Sequence, residues 1–444
     1  MSSSGASSSG RGRAGSVAST NFPAPSWVVV NQEDGTYTSA EQAPERVLRT
    51  KYNHIICIDG STKDQTDGPV TNVGRISHLF PTEGKNGRRQ QVVYQPGISN
   101  PAAYLKSETR LADKKYDQAL GGDLGRHIVS LYRYICDNYE PGDSLYFFGL
   151  SRGAFIASLL ASFIADVGVF SRKLHGATQS EYNDIILYLF TAWKERQGGP
   201  GAKYAAFMQT TTIEFLGLFD TVALLETPFI TQECDDYWFA EQIDERPLIK
   251  RVYHAVALTE QRDCFKPALI KEKHRDQTVS QVWFPGTHES VGGANADPAD
   301  TIGHATLAWM VAQLPDALQV DMEKLLLKTL GPRADRFKCC CVADRQPGTW
   351  TLGARQFRKE LGSGIHEKRH VITRQPDFSS YTGIPEMLGA NSGNDKLEKL
   401  TVERVTENEQ KMLDVIKAHV DGIRPAVEGR FQKVQNAARA KALN

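Results

Sequence analysis

The sequence predicts an α/β fold in which helices flank a parallel β-sheet. Apolar, strand-like runs alternate with helical segments between residues 51 and 315, a pattern typical of a doubly wound sheet. Polar residues follow these runs, and open α/β sheets bind their ligands at the carboxyl ends of the strands. The predicted strands are 54–58, 91–94, 144–149, 213–219, 252–258 and 279–284.

The predicted sheet is organised around one strand–turn–helix stretch, Asp143–Ala165. An apolar run at 145–148 predicts a short buried strand, and the segment 154–164 is too long for a strand and rich in helix formers. Between them lies Gly149-Leu150-Ser151-Arg152-Gly153, a G-x-S-x-G motif. A nucleophilic serine stands on such a strained turn, and small flanking residues let strand and helix approach. We interpret Ser151 as the nucleophile and the Arg152 N–H as an oxyanion donor. A serine N-cap with packing glycines is the alternative.

Three successive strand ends carry candidate partners for this serine: Asp220, Glu260 and His288. The order Ser151, Asp220, His288 is the serine–acid–histidine order that α/β-hydrolases use. A serine hydroxyl is a weak nucleophile until an imidazole takes its proton. The imidazole in turn needs a carboxylate to orient it and to stabilise its charge. His254 lies inside a strand and is interpreted as structural.

Composition argues against several classes of function. Lysine plus arginine equals aspartate plus glutamate, 52 of each, so no net field attracts nucleic acid or an anionic membrane. No apolar run reaches the roughly 18 residues of a transmembrane helix, and Met1–Thr20 lacks the apolar core of a secretory signal. The seven cysteines show no C-x-x-C metal or redox spacing. The contiguous Cys339-Cys340-Cys341 is interpreted as buried thiols, with acylation as the alternative. We therefore expect a cytoplasmic protein with buried thiols and without a metal or other cofactor.

The length of 444 residues fits one large α/β enzyme with extensions. Ser/Gly-rich composition at the start of the chain indicates a segment that buries too little apolar surface to order itself. Charged residues with spaced apolar ones predict a helix at the end. The predicted segments are a low-complexity tail at 1–48, a catalytic domain at 49–330, an irregular extension at 331–398 and a C-terminal helix at 399–444.

The strand–helix alternation is interrupted at 171–212. A helix in this insertion carries Leu187, Leu189, Phe190 and Trp193, which could bury the methylenes of an acyl chain. Helices inserted over the active end of such a sheet are commonly lids. We therefore expect 171–212 to form a helical cap, with a packing helix as the alternative.

Several motifs occurring in one order resemble a known family. They are Asp59-Gly60-Ser61, Thr71-Asn72-Val73, Pro141-Gly142-Asp143, Phe148–Phe155, Phe219–Val222, His254–Leu258 and Trp283–His288. They resemble the α/β-hydrolase domain shared by fungal proteins of unassigned role and bacterial type VI secretion phospholipase effectors, over about residues 51–315. The resemblance implies Ser151 as nucleophile, Asp220 as acid, His288 as base and lipid-ester hydrolysis as the activity. It also implies that the N–H groups of Gly60 and Ser61 complete the oxyanion hole.

The chain departs from the family pattern at two places. The family has His-Ser-Asp-Val-Gly-Gly-Gly after the last strand, whereas this chain has His288-Glu289-Ser290-Val291-Gly292-Gly293-Ala294. This departure affects the loop and not the histidine. The family's Asp-Glu-x-Arg is Thr259-Glu260-Gln261-Arg262 here, so only Glu260 and Arg262 are kept. Glu260 is therefore the second choice for the acid.

The sequence as a whole predicts an α/β-hydrolase fold with a helical cap insertion and a C-terminal helical extension. The expected function is that of a serine hydrolase cleaving a carboxylic ester, and the resemblance favours a lipid or phospholipid. Peripheral contact with a membrane fits such a substrate, and no nucleic-acid partner is expected. The oligomeric state is left open.

Two other functions compete with this expectation. A catalytically silent interaction module on the same scaffold is the first, although a scaffold role creates no demand for Ser151, Asp220 and His288 together. A metal-dependent phosphoric or sulfuric ester hydrolase built on Asp59 is the second, because a carboxylate at a strand end also serves metal enzymes. No second carboxylate pair or histidine cluster lies near Asp59 in the sequence.

Overall fold

The structure of the protein is a computed structural model. It describes residues 27–33, 36–39, 50–60, 71–98, 123–196, 201–222, 246–260, 262, 265–294, 302–321, 324, 366–370 and 401–403. Ser61, the Cys339–Cys341 run, the tail before Trp27 and most of the predicted C-terminal helix lie outside the described residues.

Strands and helices alternate through the middle of the chain. The strands are β1 Val28–Val30, β2 Tyr37–Ser39, β3 Tyr52–Ile58, β4 Arg89–Gln95, β5 Ser144–Leu150, β6 Val169–Phe170, β7 Met208–Gln209, β8 Ile213–Phe219, β9 Arg251–Ala257, β10 Thr278–Phe284, β11 Glu367–His370 and β12 Thr401–Glu403. The α-helices are α1 Asn72–Ile76, α2 Asp123–Asn138, α3 Arg152–Val167, α4 Arg172–His175, α5 Gln179–Lys194, α6 Gly201–Tyr204, α7 His288–Val291 and α8 Ile302–Ala312.

A ten-stranded sheet has the order β12-β11-β10-β9-β8-β5-β3-β4-β1-β2. The neighbours from β12 to β4 pair in parallel, and β1 and β2 add an antiparallel edge. The predicted strands are confirmed as β3, β4, β5, β8, β9 and β10. Strand β5, which ends next to Ser151, lies in the interior of the sheet between β8 and β3. The fold is therefore the predicted α/β fold, with parallel strand ends meeting on one edge.

Side chains alternate between the two faces of this sheet, as the pleat requires. Ile56, Phe147 and Leu216 join the apolar cluster that contains helices α2, α3 and α5. Ile55 and Phe148 join the second cluster, which contains α1 and α8. Because both faces are covered, the central parallel strands β3, β5 and β8 are largely apolar, and this explains why their sequence signal is strong.

Helix α5 does not have the position that a cap requires. Its Phe190 and Trp193 pack against Phe163 of α3, with ring centroids 5.7 and 5.0 Å apart. Trp193 Nε1 also donates to Asp166 Oδ2 at 2.8 Å. Asp166 is fifteen residues beyond Ser151, about 22 Å along the helix at 1.5 Å per residue. The expected cap is therefore wrong for this helix, because its apolar face is used for packing on the flank of the sheet.

The predictions for the C-terminal third also need correction. The extension predicted as irregular contains β11, which pairs in parallel with β10. Trp283 Nε1 on β10 donates to Glu367 Oε2 on β11 at 2.6 Å. The segment predicted as a C-terminal helix contains β12, which pairs with β11. Both strands extend the sheet through backbone hydrogen bonds, for which a short polar sequence such as that of β11 gives no periodic signal.

Among the described residues no helix combines the length and the apolar character needed to cross a membrane.

Candidate active site

Ser151 occupies the sharp turn between β5 and α3. Its φ and ψ are 58° and −126°, a conformation that L residues rarely adopt. Its side chain makes no capping hydrogen bond to α3, so the N-cap interpretation is wrong. A Cβ at Gly149 would lie 2.4 Å from Ala154 Cα, and one at Gly153 would lie 2.3 Å from Asp59 O. The two glycines therefore allow close approach of α3 to β5 and to the end of β3.

The backbone of Ser151 is tied to the neighbouring strand end on both sides of Asp220. Ser151 N–H donates to Phe219 O at 2.9 Å, and Val222 N–H donates to Ser151 O at 3.4 Å. The ends of β5 and β8 thereby hold the serine and the aspartate on adjacent turns.

Asp220 is fully buried, and each of its carboxylate oxygens has a partner. Oδ1 accepts the Ala257 N–H at 2.8 Å, and Oδ2 lies 2.7 Å from His288 Nδ1. The backbone N–H of Asp220 donates to Ala255 O at 2.7 Å. A carboxylate held in this way on the carboxyl end of β8 can orient an imidazole and stabilise its positive charge.

His254 supports the turn that carries this carboxylate. Its Nε2 accepts the N–H of Thr221 at 3.0 Å, and its other ring nitrogen lies 3.3 Å from Gln281 Oε1. The ring is fully buried inside β9. The interpretation of His254 as structural therefore agrees with its contacts.

His288 begins the short helix α7, immediately after the turn that follows β10. Thr287 caps this helix by accepting the Ser290 N–H, and Gly286 takes a φ of 110° that favours glycine. With Nδ1 hydrogen-bonded to Asp220, the neutral imidazole keeps its acceptor at Nε2. The ring can therefore take a proton at Nε2 while Asp220 holds Nδ1.

Glu260 contacts the main chain of the histidine and not its ring. Glu260 Oε2 accepts the His288 N–H at 3.1 Å, and the carboxylate is also bound by Arg262. Burial alone would raise the pKa of Glu260, but the bonds and charge of Arg262 and the His288 N–H bring this pKa below its ordinary value. Of the two carboxylates offered by the sequence, Asp220 is the one that bonds the ring.

Asp59 organises the loop next to the serine. Its Oδ2 accepts hydrogen bonds from Thr71 Oγ1 at 2.7 Å and from Tyr94 Oη at 2.6 Å. Its Oδ1 accepts the Gly60 N–H at 2.7 Å. A Cβ at Gly60 would lie 3.5 Å from Ser151 Cβ, so the loop is beside the serine as the family resemblance implied. The Gly60 N–H itself is directed at Asp59, which corrects its expected role as an oxyanion donor in this conformation.

Sequence reasoning missed two sets of contacts around the site. Tyr94 and Thr71 were not linked to Asp59, although Tyr94 lies near the end of the strand next to β3. Arg262 was noted only as a retained motif residue, and its partners Phe265 and Glu289 were not recognised. The strand-end rule could have indicated Tyr94, whereas only the tertiary structure brings Glu289 to Arg262.

The parallel sheet, the strained turn at Ser151 and the Asp220–His288 pair, which follows β8 and β10 at the same edge of the sheet, define a domain of the α/β-hydrolase fold. Residues 52–313 match the family model described as "T6SS, Phospholipase effector Tle1-like, catalytic domain". Because this match covers more than half of the 444 residues, the chain belongs to that family.

The individual relatives share less than 30% sequence identity with this chain. The chain is 29% identical over 257 residues to the uncharacterized protein YEL023C of Saccharomyces cerevisiae, a match covering 53% of this chain and 35% of that protein. An uncharacterized protein from Pseudomonas aeruginosa is similar at 18% identity over 61% of this chain and 47% of that one, with a TM-score of 0.34. The Tle1 effector bound to the VgrG spike of the Type 6 secretion system is similar at 16% identity, over 62% and 58%, with a TM-score of 0.27. The chain spans about a third of the yeast protein and about half of the two solved chains.

Proposed function

We propose that the protein is a serine hydrolase that cleaves a carboxylic ester of a lipid through an acyl-enzyme. Ser151 is the nucleophile, Asp220 the acid and His288 the base in this proposal. The observation that carries it is the 2.7 Å contact between His288 Nδ1 and buried Asp220 Oδ2. Asp220 follows β8, the strand next to β5, whose end carries the strained turn of Ser151. The family supports a hydrolase that acts on lipids.

The chemistry follows from the protonation states of these groups. His288 Nε2 takes the proton of Ser151 Oγ as that oxygen attacks the ester carbonyl carbon. Asp220 stabilises the imidazolium that forms. The tetrahedral intermediate collapses when the imidazolium gives its proton to the leaving alkoxide, and the acyl group stays on Ser151. Water, activated by the same histidine, then hydrolyses the acyl-enzyme and restores the serine.

The oxyanion of each tetrahedral intermediate needs N–H donors. Arg152 is the first residue of α3, and N–H groups in the first turn of a helix have no intrahelical acceptor and favour negative charge. We assign the first donor to Arg152 N–H. The second is the Ser61 N–H, the other donor that the family resemblance implied.

The class of substrate rests on the family alone. Of the four apolar residues expected to bind an acyl chain, Leu189, Phe190 and Trp193 are buried in the cluster of α2, α3 and α5, and Leu187 is partly buried and packs against it. They therefore give no support to a particular acyl group. Peripheral contact with a membrane and a cytoplasmic location both stay predictions.

Two alternatives are separable from this proposal. A silent interaction module needs neither a strained serine nor a buried carboxylate on a histidine ring. A metal site on Asp59 competes with the protein donors Gly60, Thr71 and Tyr94, which already bond both of its oxygens.

The test is labelling with a fluorophosphonate probe and turnover of an ester panel from short acyl chains to phospholipids. We expect the wild type to be labelled and to turn over an ester in the presence of chelator. Ser151→Ala should lose both by several orders of magnitude. Ser158→Ala on the same helix is the matched control and should keep both, because Ser158 Oγ donates to the helix carbonyl of Ala154 at 3.0 Å. If the wild type is not labelled and turns over no ester, the proposed enzyme is refuted and the interaction module is favoured.

A further inference from the structure

Four side chains form a connected group next to His288, and we call it the Arg262 cluster: Glu260, Arg262, Phe265 and Glu289. Arg262 Nε and Nη2 donate to the two oxygens of Glu260, each at 2.8 Å. Arg262 Nη2 also donates to Glu289 Oε1 and Oε2 at 2.8 and 2.7 Å. One guanidinium therefore joins the end of β9 to the helix that begins with His288.

The guanidinium also lies on an aromatic ring. Arg262 Cζ is 3.8 Å from the centroid of Phe265, a close cation–π distance. The Phe265 ring in turn contacts the His288 ring, with centroids 4.7 Å apart. Arg262 thus reaches the histidine by two routes, through Phe265 to its ring and through Glu260 to its backbone N–H at 3.1 Å.

Burial and charge indicate that these contacts persist. The side chains of Glu260, Arg262 and Glu289 are 3%, 24% and 37% exposed. Burial opposes the charge of Arg262, but its bonds to the two carboxylates raise its pKa above the ordinary value. The planar guanidinium of Arg262 is bonded to two carboxylates and stacked on a ring, and the ammonium group of a lysine cannot reproduce this geometry.

We propose that Arg262 is a positioning residue for the reaction, holding the ring and the main chain of His288 through Phe265 and Glu260. The inference rests on the proposed role of His288 as the base. Arg262 does not bind an anionic group of the substrate, because two carboxylates share its charge and the three charged groups of the cluster sum to −1.

The first test separates positioning from binding with Arg262→Lys, which keeps the charge and removes the fork. Labelling by the fluorophosphonate is resolved into the maximal inactivation rate and the probe concentration giving half of it. We expect the maximal rate to fall about tenfold, because small misplacements of a catalytic group slow the chemistry, and the half-saturating concentration to stay unchanged. Arg246→Lys is the matched control. It alters another partly buried ion pair, Arg246 Nη2 to Asp166 Oδ2 at 2.8 Å, which lies at the far end of α3.

The second test asks whether Arg262 acts through Phe265. Phe265→Leu and the double variant complete a mutant cycle with Arg262→Lys. The combined loss of maximal rate should be clearly smaller than the product of the two single losses. A loss equal to that product would contradict the ring route.

The outcomes distinguish this inference from the proposed function. A labelled wild type whose maximal rate survives Arg262→Lys within twofold overturns the inference alone, and so does a change confined to the half-saturating concentration. An unlabelled wild type overturns the proposed function and the inference together. Should Arg262→Lys fail to fold, Glu289→Gln carries the test at a more exposed position. It should lower the maximal rate about threefold by loosening one side of Arg262, and an unchanged rate refutes the inference.

Discussion

Replacing Gly153 by alanine tests whether close packing of α3 on the end of β3 shapes the site. The added Cβ would lie 2.3 Å from Asp59 O and 2.4 Å from Ile58 O. Both are backbone atoms, so no flexible side chain can give way. Alanine would otherwise favour the helix by about 1 kcal/mol over glycine, whereas overpacking a core costs about 1–3 kcal/mol. With the overpacking cost at its upper end and the helix gain subtracted, we expect a net loss of about 2 kcal/mol in the free energy of unfolding.

The assay is urea unfolding followed by tryptophan fluorescence, together with thermal melting. A loss of this size lowers Tm by about 4–8 °C for a domain of this size. The maximal rate of fluorophosphonate labelling should fall as well, because the clash pushes the Asp59–Gly60 loop away from Ser151. Gly176→Ala is the control: its Cβ would have nothing within 4 Å, but its φ is 70°, so we expect only about 1 kcal/mol of backbone strain. A Gly153→Ala variant as stable as the wild type would refute the reasoning.

Three further predictions concern single contacts. Asp220→Asn should lower kcat by about 10³–10⁴-fold while the fold is kept, because an amide disfavours the tautomer of His288 with its proton on Nδ1; steady-state kinetics and circular dichroism measure the two effects. Burial, and then the charge of Arg126, lowers the pKa of His127 to about 4. Between pH 6.5 and 4 the unfolded chain therefore binds a proton on His127 that the folded chain does not bind. The free energy of unfolding falls by up to about 3 kcal/mol as the pH drops through this range. In urea titrations His127→Gln should flatten this part of the curve of stability against pH. Glu367→Ala should cost about 1–2 kcal/mol in the free energy of unfolding, because the buried Trp283 N–H loses its acceptor.

Each of these has an outcome that contradicts it. Asp220→Asn retaining a tenth of the activity would separate the aspartate from catalysis. If the free energy of unfolding depends on pH equally in the wild type and in His127→Gln, His127 does not cause the loss of stability at low pH. An unchanged unfolding curve for Glu367→Ala would mean that β11 does not pair with β10 in solution.

The parallel strands and the turn at Ser151 were predictable because their signals are local. A strand covered on both faces must be apolar at nearly every position, and β3, β5 and β8 are. The two glycines of the G-x-S-x-G motif mark a backbone approach too close for a Cβ, and the contacts of Gly149 and Gly153 give that reason atom by atom. In these segments the sequence pattern and the packing describe the same constraint.

The choice between the two acids was not predictable from residues alone. Asp220 and Glu260 follow neighbouring parallel strands, so both carboxylates reach the same edge of the sheet. Asp220 has a φ of 43°, and its backbone is held by Ala255 while Oδ1 takes the Ala257 N–H. These long-range bonds direct Oδ2 at the His288 ring, whereas the carboxylate of Glu260 is bonded to Arg262 and to the His288 backbone N–H. Such directions depend on turns that no periodic pattern records.

The sequence by itself determined which segments are buried and where the chain turns, because apolar periodicity and glycine placement are local properties of the chain. The tertiary structure decided what each buried face meets. The apolar side of α5 was visible in the sequence, but only packing showed that Phe190 and Trp193 lie on α3 and not over Ser151. Strand β11 is polar and joins the sheet through backbone bonds to β10. The backbone N–H and C=O groups that make these bonds are common to nearly all residues. The three-dimensional arrangement, and not the sequence of β11, therefore determines which strand it pairs with.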